Sequence, residues 1–398
     1  MNGYRDFLLG ALLLILAACG GSGGGSDSGG DRGGNSPLGE ADGAVTTPQV
    51  PTEHWGLNRA TAASVDISQG QVDAILNYVL ADAATQSVLV SKDGYVIGEG
   101  YAAGFDAQSY GTSWSVAKSI YSAAMGVAID EGFFSSVEQK ASSVLTEFLG
   151  TDKEDVTLKQ ILQMRSGLAS NTDVFFSGDQ TAHALANTLT SEPGSRYDYS
   201  NANSQLFEPL LARATGKDAH TYVLEKILEP IGISAANVGL WLDSTGTQPM
   251  TYCCIDMRPD DFLRFGLMFA REGRWEDIQV VPASYVQASF EPVGFYGYQW
   301  WSMNETLLGQ PVSADIKSAV GLHGQRVLVW PEQDIVVVVL TQYEHFRNQG
   351  YVLDLSEDGL NFPNTCTARN TCPGSIGGAV PSYDLHGLVE LIADLGAE

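Results

Sequence analysis

Ser115 and Lys118 stand three residues apart in Ser113-Trp114-Ser115-Val116-Ala117-Lys118-Ser119, followed by the apolar run Ile120 to Ile129. That run is compatible with a helix, and residues three apart on a helix share a face. The serine hydroxyl would then lie beside the lysine amine at a helix N-terminus. A serine is a poor nucleophile at neutral pH, and a lysine neutralised by burial and the positive helix end can take its proton. Every other lysine in the chain lacks a Ser or Thr three residues before it. A solvated helix lysine would show the same spacing, so the pair needs company before it means catalysis.

Two further stretches supply it. Tyr199-Ser200-Asn201 is the single Tyr-x-Asn of the chain and lies in a loop after Pro193-Gly194. A phenol whose pKa is lowered by a lysine is a competent proton shuttle, and Asn201 could orient the lysine or a substrate amide. A turn with a packed tyrosine and an Asn helix cap fits the same residues. Ala319-Val320-Gly321-Leu322-His323-Gly324-Gln325 precedes a strand-like run, Arg326 to Trp330. Small residues there would let a substrate backbone lie along a sheet edge, with a main-chain NH facing a developing oxyanion. Alone this stretch is a tight hairpin, and His323 a structural histidine.

The elements that must position these residues can be read from periodicity. Ser68 to Ala84 has helical spacing, and two β-rich runs, Ser87 to Ser91 and Tyr95 to Tyr101, flank Lys92-Asp93-Gly94 as a hairpin. Helical patterns dominate from Asp130 to Met257, including Val137 to Phe148, Thr157 to Met164, Thr181 to Thr190, Ser204 to Thr215 and Ala219 to Leu228. Arg258 to Glu272 reads as an amphipathic helix, Asp334 to Leu340 as a buried central strand and Tyr383 to Leu395 as a closing helix. Strands at both ends around a helical middle predict an α/β domain (52–129 and 258–398) with an all-α insertion (130–257). The cleft between them is the default site.

In this order, Ser115-x-x-Lys118, Tyr199-x-Asn201 and the glycine-rich strand entry resemble the three motifs of the serine β-lactamase and penicillin-binding-protein superfamily. Leu162 to Leu168, Met257 to Gly266 and Gly273-Arg274-Trp275 resemble the flanks of those motifs. The Tyr-x-Asn form points to the class C branch. Gly321 to Gln325 with Tyr296-Gly297-Tyr298-x-Trp300-Trp301 is most similar to 6-aminohexanoate-dimer hydrolases and family esterases.

The resemblance implies an antiparallel β-sheet flanked by helices and an acyl-enzyme mechanism. Ser115 would be the nucleophile, Lys118 and Tyr199 would share the base role, and Asn201 would support Lys118. The backbone NH groups of Ser115 and Leu322 would form the oxyanion site; Gly321 and His323 would contact substrate, and Trp114, Trp300 and Trp301 are candidates for pocket walls, with core packing the alternative for each. In true β-lactamases the third motif is Lys-Thr-Gly, which holds the antibiotic's carboxylate. Here Ala319-Val320-Gly321 replaces it, with only His323 or Arg326 nearby to compensate. The expected substrate is therefore a small ester or amide. The rival readings are a D-amino-acid peptidase or penicillin-binding-protein-like enzyme acting on cell-wall peptides, and a catalytically inactive binding module on the same scaffold. Outside the Gly/Ser-rich tether the chain carries no Gly-x-Ser-x-Gly elbow, and it has no metal or nucleotide motif, so no cofactor is expected.

Composition bounds partners and location. Lys+Arg number 21 against Asp+Glu 47, for a formal net charge of -26. That surface repels nucleic-acid backbones and anionic lipid headgroups. Residues 1–18 read as an export signal: Arg5, an apolar run from Phe7 to Leu16, then Ala17-Ala18. Leu16-Ala17-Ala18-Cys19 resembles the lipobox of bacterial lipoproteins, with Cys19 lipidated and Gly20 favouring outer-membrane sorting. Residues 19–51 are a Gly/Ser-rich tether, reaching on the order of 30 Å. The expected address is the periplasm or cell envelope, with the membrane met through the lipid anchor only. Export permits disulfides. Cys366 and Cys372 enclose a short loop and are expected to be bridged, whereas Cys253 and Cys254 could bond each other, stay thiols or pair elsewhere.

Overall fold

A computed structural model describes residues 57–170, 174, 177–243, 245–342 and 383–396. The expected Cys366–Cys372 bridge and the Cys19 anchor lie outside the described residues. The strands are β1 (Thr85–Lys92), β2 (Tyr95–Tyr101), β3 (Gly111–Thr112), β4 (Gly239–Leu240), β5 (Ile255–Met257), β6 (Arg274–Trp275), β7 (Ile278–Gln279), β8 (Trp301–Ser302), β9 (Lys317–Val320), β10 (Arg326–Trp330) and β11 (Ile335–Thr341). The helices are α1 (Gln69–Leu80), α2 (Val116–Asp130), α3 (Leu158–Leu162), α4 (Gln180–Ala186), α5 (Asn201–Gln205), α6 (Phe207–Thr215), α7 (Ala219–Val223), α8 (Pro259–Ala270), α9 (Ala283–Phe290), α10 (Glu305–Leu308) and α11 (Leu385–Ala393).

Six strands form one sheet in the order β2-β1-β11-β10-β9-β8, with antiparallel neighbours throughout. The unbroken Val/Ile run of β11 is explained by burial on both sides. Val336, Val338 and Leu340 join one apolar cluster, with α2 and α8. Ile335, Val337 and Val339 join the other, with Val72, Ile75 and Val79 of α1 and Leu388, Val389 and Ile392 of α11. Successive strand side chains point to opposite faces, so a strand covered on both has no polar positions left. The β1–β2 hairpin turns at Asp93 (φ 52°) and Gly94 (φ 77°), the left-handed pair that a tight Asp-Gly turn requires.

Helix α2 is buried on all sides from Val116 to Ala128. Such a helix is mostly apolar because it runs between the sheet and the helical part, and its buried serine side chains, Ser119 and Ser122, donate to the Gln299 and Tyr298 carbonyls. Its first turn therefore carries Lys118 into the interior.

Two expectations change. The segment 130–257 holds the short strands β4 and β5 besides its helices, and β5 pairs with β3 immediately before Ser113. Val137 to Phe148 forms two 3-10 turns, Ala141–Ser143 and Thr146–Phe148, instead of a helix. The Ser143 hydroxyl donates to the Lys140 carbonyl three residues back, a local bond of the kind that competes with helix formation, and the Ser142 hydroxyl donates to the Glu154 carbonyl.

Candidate active site

Ser115 stands at the N-cap position of α2 without a capping bond from its hydroxyl, and the residue before it, Trp114, adopts φ 45°. A left-handed tryptophan is an uncommon conformation, and the surroundings hold it firmly. The Ser113 amide donates to the Ile255 carbonyl at 2.8 Å, and the Ile255 amide donates to Ser113 Oγ at 2.7 Å. Ser113 Oγ in turn donates to the Trp114 carbonyl at 3.0 Å. Between Gly111 and Lys118, Ser115 alone is partly exposed.

Lys118 is 1% exposed. Its Nζ is hydrogen-bonded to Ser115 Oγ at 2.8 Å and donates to Asn201 Oδ1 at 2.8 Å and to the Tyr252 carbonyl at 2.7 Å. Among the described residues it has no ion pair, and burial drives its pKa well below the ordinary lysine value. The neutral amine has two N–H bonds and one lone pair. The two carbonyl oxygens can only accept, so they take both N–H bonds and leave the lone pair facing the Ser115 hydroxyl.

Tyr199 completes the group. Its ring centre lies 5.0 Å from Lys118 Nζ, and its phenol is close enough to Ser115 for the serine to lower the phenol's pKa. Burial is the larger influence on this phenol and raises its pKa above the ordinary value, against the smaller lowering by Ser115. It is therefore a neutral donor and relay, not a standing phenolate. Asn201 begins α5, with Ser200 as the N-cap accepting from the Asn203 amide.

The glycine-rich entry turns beside the serine. Leu322 to Gly324 is a short 3-10 turn, with His323 at φ 61° and Gly324 at φ 97°. A Cβ on Gly321 would sit 2.3 Å from the Ser113 carbonyl oxygen, so only glycine lets the end of β9 approach the serine turn this closely. Ser115 and Leu322 each stand where helix geometry leaves an amide without an intrahelical acceptor.

The expected substrate contacts are redistributed. Trp300 is 1% exposed, its ring packed on Phe265, Phe269 and Phe290 at 5.9, 4.6 and 5.1 Å. It belongs to the core and cannot form a pocket wall. Trp301 points the other way, with its ring 5.8 Å from that of Tyr199 and neighbours in Phe295 and Tyr296. Trp114 is likewise buried, its ring against Trp241 at 6.4 Å and His323 at 5.9 Å, and so backs the site instead of lining it. The lysine of β9 does not restore the missing carboxylate-binding cation, because Lys317 Nζ is committed to Asp315 and Ser302. Sequence reasoning missed Tyr252 and Ser113, whose contributions run through a main-chain carbonyl and a short hydroxyl. It did leave open the bond that the structure shows between Cys253 and Cys254.

An antiparallel sheet flanked by helices, with a serine–lysine pair at the start of a buried central helix, defines the β-lactamase/transpeptidase class of serine hydrolases. Residues 75–355 match the sequence profile of the Beta-lactamase family, and the chain belongs to it. A 6-aminohexanoate-dimer hydrolase from Paenarthrobacter ureafaciens is 22% identical over 333 residues, which cover 70% of this chain and 79% of that protein. Two solved structures share the fold. A family VIII carboxylesterase has a TM-score of 0.56 at 14% identity, covering 68% of this chain and 90% of its own. A penicillin-binding protein homologue from Caulobacter crescentus has a TM-score of 0.56 at 15% identity, covering 68% and 91%.

Proposed function

We propose that the chain cleaves a carboxylic ester or amide through an acyl-enzyme on Ser115. The observation that carries this reading is the placement of a buried lysine, with both N–H bonds of its neutral form taken by carbonyls, 2.8 Å from the Ser115 hydroxyl. Ser115 Oγ attacks the substrate carbonyl carbon while its proton passes to Lys118 Nζ. The Ser115 and Leu322 amides hold the resulting oxyanion. Lys118 returns the proton, through Tyr199, to the departing alcohol or amine as the carbon–heteroatom bond breaks. Water, activated by the same pair, then adds to the acyl carbonyl and releases the acid and free Ser115.

The substrate we assign is an ester or amide without a carboxylate to be recognised, since Ala319-Val320-Gly321 offers no cation and Lys317 of β9 is committed to Asp315 and Ser302. The relatives support cleavage of both bond types, one being a 6-aminohexanoate-dimer hydrolase and one neighbour a carboxylesterase. The test is a panel of p-nitrophenyl esters of graded chain length beside nitrocefin and a D-Ala-D-Ala peptide. Ester turnover abolished by Ser115→Ala is expected. A Ser115→Ala variant working at the wild-type rate would overturn the mechanism, and absence of fluorophosphonate labelling would mark an inactive module. Release of D-Ala with labelling by a fluorescent penicillin would assign the site to cell-wall peptides instead.

We further propose that the enzyme is held at the cell envelope by lipid on Cys19, on the strength of the Leu16-Ala17-Ala18-Cys19 sequence. Labelled palmitate incorporated by the wild type and lost in Cys19→Ala is the expected result.

A further inference from the structure

Four consecutive residues, Tyr252 to Ile255, touch both halves of the proposed catalytic pair. At one end the Tyr252 carbonyl accepts from Lys118 Nζ at 2.7 Å. At the other, Ile255 exchanges two hydrogen bonds with Ser113, at 2.8 Å to the main chain and 2.7 Å to Oγ. Ser113 is the residue whose hydroxyl ties off the left-handed Trp114 turn and whose carbonyl receives Gly321. Between the two ends the sulfurs of Cys253 and Cys254 are bonded, and the Cys254 carbonyl accepts from the Trp241 amide at 3.3 Å. All four residues are at most 1% exposed, so solvent does not compete for these contacts.

We infer that the Cys253–Cys254 bond and Ser113 together form a positioning clamp, which holds the Tyr252 carbonyl on Lys118 while fixing the turn that presents Ser115. The inference rests on the reading of Ser115 and Lys118 as nucleophile and base. An amine with a single fixed acceptor can rotate its lone pair away from the serine, and a second fixed acceptor stops that rotation. A cross-link between neighbouring side chains narrows the conformations open to the main chain between the two anchors. None of Ser113, Cys253 or Cys254 is placed to touch substrate, so all three are positioning residues, and their loss is felt in kcat and not in KM.

The test uses the full chain carrying Cys253→Ser and Cys254→Ser together, assayed with p-nitrophenyl butyrate. The expected result is a fall in kcat of about tenfold or more with KM within about twofold, and an equal fall in the rate of fluorophosphonate labelling. Ser113→Ala, which keeps both cysteines but removes the acceptor of the Ile255 amide, should show the same split, with Ser113→Thr recovering activity. Alkylation of the unreduced, active wild type followed by mass spectrometry should leave Cys253 and Cys254 unmodified. Both cysteines found alkylated in active enzyme would overturn the inference whether or not the variants fold. So would clamp variants with unchanged kcat, or with KM raised and kcat kept. If Ser115→Ala is inactive while the clamp variants are fully active, the clamp alone fails. If Ser115→Ala is active, the underlying reading fails first.

Discussion

Gly321 rests against the carbonyl oxygen of Ser113 so closely that an added Cβ would lie 2.3 Å from it. The contact sets the distance between the serine turn and the Leu322 amide. Gly321→Ala should therefore push the end of β9 away and lower kcat by roughly 100-fold, the usual cost of a lost oxyanion donor. Steady-state kinetics on a p-nitrophenyl ester check this, and an unchanged kcat would show that the strand end has no part in the chemistry.

Lys118 should govern the acid side of the pH profile. Burial holds its pKa below the ordinary lysine value, so the amine is protonated and inactive at low pH and becomes a base as pH rises through that lowered value. kcat/KM should climb and then level off, without an alkaline fall from Tyr199, whose pKa is raised by burial. A profile flat through the acid range would remove Lys118 from the base role.

The adjacent tryptophans should part ways on substitution. Trp300→Ala empties a core site among Phe265, Phe269 and Phe290 and should cost about 3–5 kcal/mol of stability. Trp301→Ala uncovers Tyr199 and should impair turnover while moving the melting temperature far less. Thermal unfolding and ester kinetics on both variants separate the two roles.

Glu208 offers a stability test away from the site. It is 5% exposed, accepts from the Ala219 amide, and burial raises its pKa to about 7. The folded form thus binds its proton more tightly than the unfolded chain. The corresponding stability is fully present below the ordinary carboxyl pKa of 4.5 and is lost as pH rises to about 7. Glu208→Gln, which keeps the acceptor without the charge, should stabilise the protein at pH 8 by on the order of 2 kcal/mol and change it little at pH 4. Equal melting temperatures of variant and wild type at pH 8 would contradict this.

The sequence revealed those features whose cause sits in side-chain type and spacing. The three-residue step from Ser115 to Lys118 and the Asp93-Gly94 turn are local, and β11 announced its double burial by having no polar residue from Ile335 to Leu340. The Tyr252 carbonyl was invisible because every residue has one, and its partner Lys118 is 134 residues away. Which of Trp300 and Trp301 faces Tyr199 was equally hidden. The strand there is two residues long, and Gln299 before it takes φ 63°, so no alternation was present to be counted.

Lys118 has almost no surface of its own, and Ser115, to which its amine is hydrogen-bonded, is partly exposed. On the proposed mechanism the amine has no private route to bulk water, and every proton it gains or gives up is handed through Ser115 or Tyr199. Once Ser115 carries an acyl group its hydroxyl is gone and Tyr199 is the remaining gate. The second half of each cycle thus depends on one phenol, where the first half had two conduits.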